Sequence, residues 1–152
     1  MKYDLDRFKT AQENCYTQVL KEMKNGKKTS HWMWFIFPQI AGLGKSSTAK
    51  KYELANIEEA ECYLKDPLLS KRLLELTRII AYEVEDKSAK EIFGFPDYLK
   101  FHSSMTLFYS AVLENSEFKN KSDLFCFKDV IRKYYNGNLD QRTLEIIQST
   151  RI

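Results

Sequence analysis

The sequence predicts an all-α fold, a compact single-domain multi-helix array with one aromatic-rich connecting segment. Three observations predict it: apolar residues recur at three- and four-residue steps, helix caps punctuate those runs, and nothing alternates with period two for long. Only residues 34–37 could form a strand, and one strand makes no sheet. That segment is therefore expected as either a buried helix or an extended crossing piece. A chain of 152 residues suits one domain spanning 1–152, since no repeat, low-complexity tract or long linker divides it.

Leu5, Phe8, Ala11, Cys15, Val19 and Met23 share one face after a cap at Asp4, which predicts a single first helix ending at Asn25-Gly26. Ser46, Ser47 or Thr48 can cap a helix through Tyr52. Asn56 and Glu59 have the spacing of a capping box for a helix that turns Ala60, Tyr63 and Leu64 inward. Asp66-Pro67 opens the next helix, because proline at the first helical position gives up no hydrogen bond. Leu69, Leu73, Leu76 and Ile80 mark its face to about Tyr82. Ser88 caps a short helix ended by Gly94, and Pro96 or Asp97 begins a longer one with Leu99, His102, Met105, Tyr109 and Val112. A helix from about Asp123 to Tyr135 presents Leu124, Phe127, Ile131 and Tyr134 and closes at Asn136-Gly137-Asn138. Asp140 caps a last one with Leu144 and Ile147.

With 43% hydrophobic and 30% charged residues the balance is that of a soluble globular protein, and a net charge of +3 is too small to argue for nucleic acid by itself. Its distribution says more. From Met23 to Tyr52 there is no Asp or Glu, while Lys24, Lys27, Lys28, Lys45, Lys50 and Lys51 fall inside. Between Glu53 and Asp97 acids outnumber bases, so the surface is expected to be polarised. Cys15, Cys62 and Cys126 are far apart, with no CxxC and no neighbouring histidine to complete a zinc set, and read as core residues rather than metal ligands. A charged amino terminus and the lack of an apolar run near eighteen residues predict a cytoplasmic protein with no membrane attachment.

The acid-free stretch contains Ser30-His31-Trp32-Met33-Trp34-Phe35-Ile36-Phe37-Pro38-Gln39 and then Gly42-Leu43-Gly44-Lys45-Ser46. Burial alone has little use for a histidine at its head and a flexible cationic loop at its tail. A phosphate-binding P-loop would need glycine at position 39, where Gln39 stands, and Gly42-Leu43-Gly44 lacks the third glycine and the βαβ setting of a dinucleotide fingerprint. No cofactor is expected on these grounds. A second acid-free stretch runs from Tyr98 to Leu113 and carries Lys100, His102, Ser103 and Ser104 among Phe and Leu. Taken singly, each of these polar residues has an ordinary structural reading. Hydroxyls bond the preceding helical turn, and histidines at helical spacing are commonly satisfied boundary residues.

If the two stretches meet, they form an aromatic-walled, electropositive site for a small anion carrying a ring, nucleotide or ADP-ribose-like. His31, Trp32, Trp34, Gln39, Lys45, Ser46, Lys100, His102, Ser103 and Ser104 are its expected ligand-binding residues, with His31, Asp97 and His102 as candidate acids or bases. Trp32 and Trp34 lie two apart, so in a helix one faces the core and the other the pocket edge. Alternatively, Asp97 or Glu91 neutralises the cations internally, and the basic first third belongs to a noncatalytic module that binds a protein or nucleic acid.

The blocks from Ser30 to Gly44, Ile92-Phe93-Gly94-Phe95-Pro96-Asp97 and Ser103-Ser104-Met105-Thr106-Leu107-Phe108 resemble, in order and over nearly the whole chain, an uncharacterised bacterial family whose members are sometimes labelled calpastatin. The resemblance implies a compact all-α domain and carries no activity. It also implies a cation or donor role at His102, where Arg is the commoner residue of the family. A fold-level analogy to small helical N-glycosidases transfers no residues but keeps a hydrolase of that kind among the expectations.

Overall fold

The longest helix organises the molecule because its central turns, residues 103–108, are buried on every side. In the computed structural model, which describes residues 2–150, this is α8 (Asp97–Glu114), and it buries Phe101, Met105, Leu107, Phe108, Ala111 and Val112. Met1, Arg151 and Ile152, the ends of the expected 1–152 domain, lie outside the described residues. The expected stripe is displaced at its start: Leu99 is exposed and Phe101 is fully buried. Phe101 meets Phe37 at 4.8 Å and Phe93 at 4.3 Å between ring centroids, and Phe108 meets Tyr63 and Phe127. Each such ring contributes roughly 2–3 kcal/mol through burial.

The remaining helices wrap this one. They are α1 (Asp6–Glu13), α2 (Tyr16–Lys24), α3 (Met33–Ile36), α4 (Ser47–Tyr52), α5 (Ile57–Lys65), α6 (Pro67–Arg78), α7 (Ala89–Phe93), α9 (Cys126–Tyr135) and α10 (Gln141–Ser149), with 3-10 turns at Ser116–Phe118 and at Ser122–Phe125, so the helix expected from about Asp123 is α-helical only from Cys126. Among the described residues there is no strand, and the single parallel bridge joins Ile40 to Leu54. The caps fall where side-chain chemistry puts them: Ser46, Asn56, Asp66, Ser88 and Asp140 each accept from backbone amides of the first turn they open. Ser88 and Glu91 form a full capping box, whereas Glu59 reaches Ala55 N instead of closing one with Asn56.

Two expectations need correction. The first helix is two, broken at Asn14-Cys15, and Asp4 is not its cap; Leu5 holds that position without a side-chain bond. The break has a tertiary cause. Gln12, buried at the end of α1, donates to Phe35 O and Tyr63 Oη and accepts from Arg72, which fixes α1 against α3 and α6 while α2 turns toward a different neighbour. The second concerns α6, which widens into a π turn at Ile79–Glu83 rather than running on as α-helix. The carbonyls this disturbs are taken up by Tyr134 Oη on Ile80 O and by Lys133 Nζ on Ala81 O and Val84 O. The 34–37 segment is a single helical turn, α3, not an extended piece.

Candidate functional site

α3 is short because Pro38 follows it, and the chain then enters a loop whose base is pinned by Ala41 N to Leu54 O and Leu54 N to Gln39 O. Gly42, with φ of +103°, turns the loop, and Gly44 lets it fold onto α4: a Cβ on Gly44 would run into the Cβ of Ala49. This brings Lys45 and Ser46 opposite the first turns of α8. α10 supplies a third side, because Ser103 Oγ donates to Asp140 Oδ2 at 2.9 Å and Asp140 N donates to Thr106 Oγ1 at 3.0 Å. The buried hydroxyls of α8 thus act as anchors for the start of α10.

Between these elements lies a cavity of about 520 Å³. Trp34, Gln39, Lys45, Ser46, Lys100, His102 and Ser103 all line it, so the two acid-free stretches meet in space. His31 does not share it. It lines a neighbouring cavity of about 380 Å³ with Asp97, and Trp34, Pro96 and Lys100 stand in both walls. Trp32 and Ser104 line neither. Trp32 is 2% exposed, its indole N–H donating to Glu22 Oε1 at 2.9 Å, and Ser104 is fully buried in the core with its hydroxyl unpartnered. The two tryptophans therefore divide, Trp32 inward from the non-helical position before α3 and Trp34 to the cavity from within it.

The cations also divide. Asp97 holds Lys28 through Oδ2 at 2.7 Å and Lys100 through Oδ1 at 3.7 Å, so part of the cluster is neutralised internally. Lys45 and Arg142 have no ion pair among the described residues. Lys100 also rests 5.1 Å from the centre of the Trp34 ring. His102 stacks on Tyr135 with ring centroids 4.0 Å apart and planes 8° from parallel. Its Nε2 lies 2.6 Å from Asn138 O, and because a carbonyl only accepts, Nε2 carries a proton and donates it there.

Sequence reasoning missed Asp140 and Arg142, which line the larger cavity. Asp140 reads as a helix cap, and it is one: Oδ2 accepts from Thr143 N and Thr143 Oγ1 as well as from Ser103. A cap that also faces a cavity leaves no separate mark in a sequence. No cysteine lines either cavity: Cys126 is buried, which pushes its thiol up to about 12, and Cys15 and Cys62, expected as core residues, are only half-buried. Among the described residues no cluster of His, Cys, Asp and Glu could hold a metal ion, and no helix is long and apolar enough to cross a membrane.

A family model described as "protein of unknown function (DUF1810)" matches residues 2–147. The fold is similar to the crystal structure of the conserved hypothetical protein Rv1873 from Mycobacterium tuberculosis, with a TM-score of 0.88 and 41% sequence identity over 97% of this chain and 99% of that one. No curated protein matches the chain.

Proposed function

We propose, for a chain that belongs to the DUF1810 family of proteins of unknown function, that the larger cavity binds a small anion carrying an aromatic ring, of the nucleotide class. One observation carries this reading: two cations without ion pairs among the described residues, Lys45 and Arg142, face the same concavity as the Trp34 indole and Lys100. Lys45, Lys100 and Arg142 outnumber the one carboxylate, Asp140, that lines this cavity, and a multiply charged anion answers that excess while its ring covers apolar surface. Lys100 now covers the indole. An anion that draws the ammonium aside leaves a ring face open for stacking. Gln39, Ser46, His102 and Ser103 supply further hydrogen-bonding groups around it.

Hydrolysis of an N-glycosidic bond in such a ligand would need a carboxylate within reach of the sugar. Asp97 is a poor candidate, held between two lysines and lining the smaller cavity. Asp140 is the carboxylate of the larger one.

A thermal-shift screen with AMP, ADP, ADP-ribose and inorganic phosphate tests the proposal. The nucleotides should raise the melting temperature of the native chain, and Lys45→Ala with Arg142→Ala should abolish the rise while leaving the unliganded melting temperature nearly unchanged or higher. A large loss of stability in that double variant, with no shift from any of the compounds, would move the reading to a noncatalytic module that binds a protein or nucleic acid.

A further inference from the structure

The larger cavity has a neighbour on the far side of Trp34. Across the ridge formed by the Trp34 indole, Pro96 and Lys100 opens the cavity of about 380 Å³, between the loop carrying Thr29 and His31 and the turn carrying Phe95. Because Trp34, Pro96 and Lys100 line both, the two spaces lie side by side, a larger and a smaller lobe on either side of one ridge. Each lobe falls within the range of small-molecule sites, about 300–1,000 Å³.

The ridge has its own electrostatics. Two lysines share the single carboxylate of Asp97, which leaves one positive charge uncompensated. Lys28 is the better held: its side chain is 7% exposed and its ammonium is 2.7 Å from Asp97. Lys100 is 28% exposed and stands 3.7 Å away, beyond a hydrogen bond, so it is the ammonium an incoming anion can recruit. The smaller lobe differs in character from the larger. Phe95 at its lip is 72% exposed, with Tyr98 as a loose aromatic neighbour at 6.3 Å, and His31 beside it is exposed. An aromatic ring left this open at a cavity mouth offers a face to a second cyclic group.

We infer that the smaller lobe is the subsite for the far half of an elongated ligand, two cyclic groups joined by a diphosphate that crosses the ridge at Lys100. This rests on the reading of the larger lobe as a nucleotide site. The nucleoside occupies the Trp34 side, the diphosphate meets Lys100, and the second ring or sugar lies against Phe95 and His31.

Calorimetric titration of the native chain with ADP and with ADP-ribose tests it, because the two share everything up to the ridge. ADP-ribose should bind about tenfold tighter or better. His31→Trp, which fills the smaller lobe, should reduce that ratio to near one. Thr29→Tyr, at an exposed position lining the same lobe, should do likewise, with folding of both variants verified by their melting temperatures. ADP binding with no gain for ADP-ribose, or a gain that survives both substitutions, would overturn the second subsite while leaving the first intact. Binding of neither compound would remove the nucleotide site and this inference with it.

Discussion

Glu22 holds the first wall of the cleft in place. It is 3% exposed, and its carboxylate accepts from Thr29 N, Ser30 N, Ser30 Oγ, Gln18 Nε2 and Trp32 Nε1, which fixes the loop that carries His31 into α3. Burial alone would raise its pKa, but hydrogen bonds from Ser30, Thr29, Gln18 and Trp32 outweigh that and bring it to about 2. A depressed folded-state value stabilises above the ordinary 4.5, and that stability is lost as pH falls toward 2. The amount is on the order of 3 kcal/mol. Denaturation followed against pH should show this loss in the native chain, and Glu22→Gln should flatten it while lowering stability near neutrality by about 2 kcal/mol. Asp97 gives a second contrast. Asp97→Asn strands the Lys28 ammonium, 7% exposed, and should cost about 3 kcal/mol in equilibrium unfolding, whereas Lys45→Ala should cost almost nothing. At this scale the sequence brings Trp34, Lys45 and Lys100 to notice through the lack of acids around them. It does not tell that Trp32 and Ser104 face the core, because composition carries no direction.

Among the elements, α4 and the loop before it depend on one close approach. Gly44→Ala should destabilise the chain by about 1–3 kcal/mol through overpacking against Ala49. In an Ala49→Gly background the same substitution should cost much less, and a double-mutant cycle by chemical denaturation measures the difference. Caps were legible because they are local: Ser46, Asn56, Asp66, Ser88 and Asp140 each meet amides two or three residues on. The break between α1 and α2 was not, since it is decided by the bonds of Gln12 to Phe35 and Tyr63, residues far along the chain. The π turn was hidden for the same reason, its carbonyls being satisfied from α9.

For the molecule as a whole, the all-α class followed from periodicity, whereas the charge pattern marked the two acid-free stretches and only the fold brings them together. The contribution of α10 followed from neither, because Asp140 and Arg142 reach the cavity only through the anchoring of α10 by Ser103 and Thr106. The resulting cleft concentrates positive charge, and binding of an anion there should weaken as salt is raised. Calorimetric titration of ADP into the native chain and into the Lys45→Ala, Arg142→Ala double variant is the most direct test. The account predicts saturable binding to the native chain and at least about a tenfold loss of affinity in a double variant whose melting temperature is not lowered. Absence of binding to the native chain, or equal affinity for both, would contradict it.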